Sequence, residues 1–249
     1  MQKSVKQDGK TRRQNKARIM TKYNRRKNLS GIRLIIIKAM LLLVGLIAVA
    51  AVGLVVYKNV VSIDDEFGEI VEDKDNPVPR PELDVELLDV NPYSRPGTKL
   101  ERVKGIVIHY TANPGAGAIN NRDYFNSLKD THYTSASSHF IVGLEGEIIQ
   151  CIPTGEIAYA SNNRNKDTLS IENCHINEDG SFEKETYDSL VHLTAWLTVK
   201  FGLKTKHIIR HYDVTGKMCP KYFVEHEDAW KKFKEDVQNY IDECNVRLK

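Results

Sequence analysis

The chain has 249 residues, of which 41% are hydrophobic and 28% charged, with a formal net charge of +3. That apolar content excludes a chain without a core and suits one sizeable domain with appendages. The small net charge hides a split: residues 1–38 hold 13 Lys/Arg against the single acid Asp8, leaving 23 basic and 32 acidic residues for the rest.

A basic arm of this kind can serve nucleic acid, but the next segment removes the need for one. Ala39 to Tyr57 carries no charge and is rich in Leu, Val, Ile and Ala. As a helix it would be about 28 Å long, close to the roughly 30 Å of a bilayer core. The sequence therefore predicts one transmembrane helix over residues 39–57, with the lipid bilayer as partner and no nucleic acid. Lys and Arg stay on the cytoplasmic side, so residues 1–38 form a cytoplasmic arm and everything after Lys58 faces outward from the plasma membrane. Ala48-Val-Ala50 has the small-x-small pattern of a signal-peptidase site. Against cleavage stand the long basic region and an apolar run that continues past Ala50.

Residues 58–99 read as an extracytoplasmic linker, within which the sequence leaves open whether Val85 to Val90 order against the domain. Asp64-Asp-Glu66, Glu72-Asp-Lys-Asp75 and Pro77-Val-Pro-Arg-Pro81 show little apolar periodicity, and acidic, proline-rich segments bury too little apolar surface to fold alone. Stretched out, some forty residues would reach about 130 Å.

From residue 100 to 249 the texture is that of an α/β domain. Val103 to His109 reads as a buried strand, and Asn121 to Lys129 as a short helix. Ser138–Val142 and Glu147–Ile152 flank Gly143-Leu-Glu-Gly146 as a hairpin. Thr168–Cys174 is a further strand. Tyr187, Leu190, Val191, Thr194, Leu197 and Phe201 share a helical face that Gly202 terminates. His207–His211 is the last strand, followed by a Gly-containing loop, and Glu227–Val246 is an amphipathic helix.

The chemistry gathers around Ile208 to Pro220. A β-branched run ends on His211, with Lys217 and Cys219 six and eight residues further on. Imidazole and thiolate are favoured zinc donors, and two His with one Cys leave a fourth position open for water. The second histidine is sought where another strand pattern ends in one, at His109. The spacing His109 … Glu172 … His211-x5-Lys217-x-Cys219 resembles the zinc-dependent N-acetylmuramoyl-L-alanine amidases. Phage amidases and the animal peptidoglycan recognition proteins belong to the same family. The resemblance runs from about Tyr93 to Tyr240.

That resemblance implies a central mixed β-sheet flanked by helices, a Zn2+ ion on His109, His211 and Cys219, and peptidoglycan as substrate. The catalytic domain is expected to be monomeric. Glu172 lies in Leu169-Ser-Ile-Glu-Asn-Cys174, where alternation sets it opposite Leu169 and Ile171. The family's glutamate in a similar strand accepts a proton from water and passes it to the leaving amine. Lys217 matches the family's lysine, which stabilises charge on the carbonyl oxygen. Some members carry a tyrosine before the His-Phe pair of the hairpin strand, where this chain has Ser138.

Asn113-Pro-Gly-Ala-Gly117 and Ala158-Tyr-Ala-Ser-Asn-Asn163 are expected to border the substrate groove, with Asn113 and Asn162 as candidate substrate-binding residues and His139 as either substrate-binding or structural. Cys151, Cys174 and Cys244 are expected to be free. A binding-only peptidoglycan module of the same fold is the alternative, but such relatives typically lack the cysteine ligand. A zinc peptidase of the H-E-x-x-H type is excluded, because the chain has no such motif.

Overall fold

The computed structural model describes residues 20, 37–38, 40–49, 51 and 68–247. They fall into two units, one within residues 1–64 and one within 65–249. In the first, residues 40–49 are helical and exposed. Ala39, Ala50 and residues 52–57 of the expected spanning helix lie outside the described residues, as does nearly all of the basic arm. Among the described residues no helix is long and apolar enough to cross a membrane.

The second unit is built on a six-stranded sheet of order β1-β4-β3-β5-β2-β6. The strands are β1 (Asp84–Val85), β2 (Gly105–Ile108), β3 (Phe140–Val142), β4 (Ile148–Gln150), β5 (Thr168–Asn173) and β6 (Ile208–Arg210). Only the hairpin pair β3 and β4 is antiparallel; β5, β2 and β6 run parallel side by side. Their registers align Ile108 with Ile171 and with Arg210, so these three strands end level with one another.

Five helices complete the unit: α1 (Ala118–Thr131), α2 (Lys184–Lys200), α3 (His211–Thr215), α4 (Lys221–Glu225) and α5 (Glu227–Arg247). The pleat sends alternate strand residues into two cores. Ile106, Ile108, Phe140, Val142, Leu169 and Ile171 pack with Leu190, Leu193 and Leu197 of α2 and with Phe233, Val237 and Ile241 of α5. Ile141 and Ile149 pack on the other side with Phe125 and Leu128 of α1. Both faces are thus covered, as a parallel sheet requires. Burying a side chain such as Phe140 or Phe233 is worth about 1.5–3 kcal/mol.

Two expectations need correction. Residues 68–99 are not a free linker. Val78 and Leu88 are 0% and 1% exposed, and β1 pairs in parallel with β4. Asn76 donates to the carbonyl of Trp196, and Arg95 forms a two-pronged ion pair with Glu156. The Gly68 and Val71 N–H groups cap the end of α2 by donating to the carbonyls of Gly202 and Lys200. Gly202 has φ +60°, and a Cβ there would strike the Gly68 backbone at 2.4 Å, so this close approach depends on glycine. The segment lacks a local period because its partners are scattered through the domain. The reach worked out for forty extended residues therefore does not apply. Second, His211 is not followed directly by loop: it begins α3, which ends on Gly216 at φ +77°.

Candidate active site

The parallel strands β5, β2 and β6 deliver Glu172, His109 and His211 to the same end of the sheet, where the three strands finish. The chain beyond α3 then folds back, the Tyr212 N–H donating to the Cys219 carbonyl at 2.9 Å, and this returns Cys219 to the same place. A cis Cys219–Pro220 bond leads into α4. His109, His211 and Cys219 are all buried, and one donor atom from each lies within 4.8 Å of the others. His109 Nδ1 stands 3.8 Å from Cys219 Sγ and 3.9 Å from Glu172 Oε1.

The orientation of His109 follows from its surroundings. Its Nε2 is 3.2 Å from Ser161 Oγ, a hydroxyl able to accept the ring N–H. That tautomer leaves the Nδ1 lone pair facing His211 and Cys219. An outer partner of this kind commonly fixes a metal-binding imidazole. Asn173 Nδ2 holds the His109 carbonyl at 2.8 Å.

Electrostatics keep the cluster neutral by itself. Burial, then His211 and Lys217, push the His109 imidazole well below its ordinary pKa, and burial and Lys217 lower His211. Burial pushes the Cys219 thiol up to about 12, against a hydrogen bond from the Tyr110 backbone. Burial likewise raises Glu172 to about 8, with Lys217 opposing. Glu172 exposes 16% of its side chain, and its Oε2 is buried without a partner.

This set fits a zinc ion. The donors are two imidazoles and a thiol, and a cation supplies the positive charge that makes the thiolate stable. Zinc bonds run to about 2.0–2.3 Å, so donor atoms this close together could reach one ion after a small shift. Above it opens a cavity of about 250 Å³, lined by the three donors together with Glu172, Lys217, Thr111, Tyr124, Phe125, Ser137 and Tyr159. A carbonyl seated there would meet Lewis acid, base and ammonium together.

The expected ligands and catalytic residues are therefore gathered in one place; the expected substrate-binding residues are not. His139 is buried, with Nδ1 bonded to Ser170 and Nε2 to the Glu156 carbonyl. Burial lowers its pKa to about 4, which makes it a neutral structural group. Asn113 and Asn162 are exposed and outside the cavity lining. Asn162 has φ +52° and starts a turn of 3-10 helix. Ser138, where some relatives of the resembled family carry tyrosine, is fully buried, its hydroxyl bonded to the carbonyls of Phe140 and Ser170. Sequence reasoning missed Ser161 and Tyr159 as individuals, although both fall in the Ala158–Asn163 stretch expected to border the groove. It missed Thr111 altogether, which a place two residues beyond a strand-ending ligand could have signalled.

Comparison with known proteins agrees with this geometry. Residues 99–222 match the family model described as N-acetylmuramoyl-L-alanine amidase. The N-acetylmuramoyl-L-alanine amidase CwlL of Bacillus licheniformis is 39% identical over 170 residues, covering 63% of this chain and 47% of that protein. The N-acetylmuramoyl-L-alanine amidase BlyA of Bacillus subtilis (strain 168) is 37% identical over 172 residues, covering 61% and 45%. The chain thus spans about half the length of the curated relatives it matches. Among solved structures, the PlyG catalytic domain superposes with a TM-score of 0.55 at 25% identity, covering 65% of this chain and 96% of that one.

Proposed function

Since the chain belongs to the N-acetylmuramoyl-L-alanine amidase family, we propose that it hydrolyses the amide between the lactyl group of N-acetylmuramic acid and L-alanine in peptidoglycan. The convergence of His109, His211 and Cys219 beside Glu172 carries this reading. Zinc held by those three residues would polarise the scissile carbonyl and acidify the attacking water. Glu172 accepts the proton of that water and returns it to the leaving amine nitrogen; burial raises the proton affinity of its carboxyl while Lys217 opposes, and a bound cation would oppose further and free the carboxylate to act as base. Lys217, on the cavity wall, offers its ammonium to the charge that grows on the carbonyl oxygen. Ser161 and Asn173 keep His109 aimed, and Phe125 and Tyr124 line the cavity wall.

The same proposal includes an anchor. Residues 39–57 would cross the plasma membrane with residues 1–38 in the cytoplasm and the enzyme on the cell-wall side, a reading supported by the charge-free run and the basic arm before it. Two experiments test it. Purified protein should contain about one zinc per chain and release free L-alanine amino termini from cell wall without freeing new reducing sugars; wall binding without release would make it a binding module. Protease added to wall-stripped cells should remove the domain and spare the basic arm, and a C-terminus shielded from protease would refute the orientation.

A further inference from the structure

Arg210 directly precedes the ligand His211 and is buried at the end of β6. Its donors are divided among three helices. Nε and Nη2 reach the Asp213 carboxylate at 3.2 and 2.9 Å, and the Arg210 backbone N–H donates to the same carboxylate at 2.8 Å. Nη1 donates to the Phe223 carbonyl at 2.9 Å and to Glu227 Oε2 at 2.7 Å. The guanidinium lies 5.3 Å from the Trp230 ring centroid.

These partners bracket both donors supplied by the β6 end of the site. Asp213 belongs to α3, whose first residue is His211. Phe223 belongs to α4, which begins two residues after Cys219. One side chain thus joins the segment that carries His211 to the segment that receives the chain from Cys219. The backbone bond from Tyr212 to the Cys219 carbonyl spans the same gap from within.

Burying a charge is costly, and well-packed apolar residues often stabilise a core as much as an ion pair does. What a guanidinium adds is a rigid fork that fixes several acceptors at set angles. We infer that Arg210, with Asp213, is a positioning residue that holds His211 and Cys219 at ligand spacing without touching metal or substrate. The inference rests on the zinc reading of the site.

The test compares zinc affinity with fold stability in the full chain, solubilised in detergent. Arg210→Lys keeps the charge but loses the fork, and Asp213→Asn loosens the inner arm. Ile241→Val trims the core at α5, away from the site, and serves as the stability control. Zinc dissociation constants come from competition with a chromophoric chelator, at a temperature where circular dichroism shows each variant folded. Loss of an outer partner typically weakens metal binding by about 10–100-fold. Arg210→Lys and Asp213→Asn should each show such a loss, and cobalt substituted for zinc should show a shifted thiolate absorption band. Ile241→Val should bind zinc as the parent chain does. If Arg210→Lys does not fold, Asp213→Asn decides alone. Parent-like zinc affinity and cobalt spectra in the folded Arg210 and Asp213 variants would overturn the inference and leave the zinc reading intact. A parent chain that binds no zinc would overturn both.

Discussion

Leu88→Ala tests whether residues 68–99 belong to the domain. Leu88 is 1% exposed and shares a core with Phe125, Leu128, Ile141 and Cys151. Its backbone N–H donates to the Cys151 carbonyl at 2.9 Å, which holds the site rigid and limits its collapse around a deleted side chain. Leucine-to-alanine changes in such positions cost about 2–5 kcal/mol. In a domain of this size a loss of about 3 kcal/mol lowers Tm by roughly 6–12 °C. Urea unfolding followed by circular dichroism measures the change, and the midpoint should fall with little change in slope. Val78→Ala supplies an independent reading, because Val78 packs in the other core; the two losses should add to within about 0.5 kcal/mol. A free linker predicts changes within about ±0.5 kcal/mol for either substitution. That outcome for Leu88→Ala would refute the packing described here.

Glu172→Gln keeps size but cannot accept a proton, so turnover on peptidoglycan should fall by about 10²- to 10⁴-fold while zinc content stays at the parent level; loss of zinc would instead make Glu172 a ligand. Cys219→Ser should cut zinc affinity sharply, since a hydroxyl is a poorer zinc donor and far harder to deprotonate; full occupancy with normal turnover would remove Cys219 from the ligand set. With zinc chelated, burial raises Glu172 to about 8 from an ordinary 4.5, so above pH 4.5 the folded chain keeps a proton that the unfolded chain has released. Its contribution to stability is present at low pH and lost as pH rises towards 8. Below pH 6.5 the lowered His109, His139 and His211 pull the other way, because the unfolded chain binds protons there that the folded chain does not. Between pH 6.5 and pH 8 urea midpoints should fall, and the part of that fall due to Glu172 should vanish in Glu172→Gln; an identical slope in both proteins would assign the titration elsewhere.

The strands and long helices were legible because their signals are local. β2, β5 and α2 bury both faces or one full stripe, and continuous β-branched runs or a 3.6-residue period record this directly. The site was legible through the family resemblance that His211-x5-Lys217-x-Cys219 carries together with His109 and Glu172; zinc chemistry, which admits few side chains, made those residues worth joining. The sequence left His139 open between groove and core, because a histidine beside a predicted groove looks the same whether it faces solvent or, as here, satisfies Ser170 and Glu156 inside the core.

The sequence by itself determined the main strands and long helices and the charge-free run after the basic arm, since each depends on neighbours a few residues apart; it offered His109, His211 and Cys219 as a set only through the family resemblance, because His109 stands 110 residues from Cys219. Only the tertiary structure decided what becomes of residues 68–99 and how the donors are aimed. Val78 and Leu88 find partners up to a hundred or more residues away, and no local period can record such a contact. Ser161 meets His109 across 52 residues of chain. Arg210 reaches Phe223 and Glu227 through a turn whose direction depends on the packing of α4 against α5. Distance along the chain carries no information about distance in space until the sheet has brought β5, β2 and β6 level.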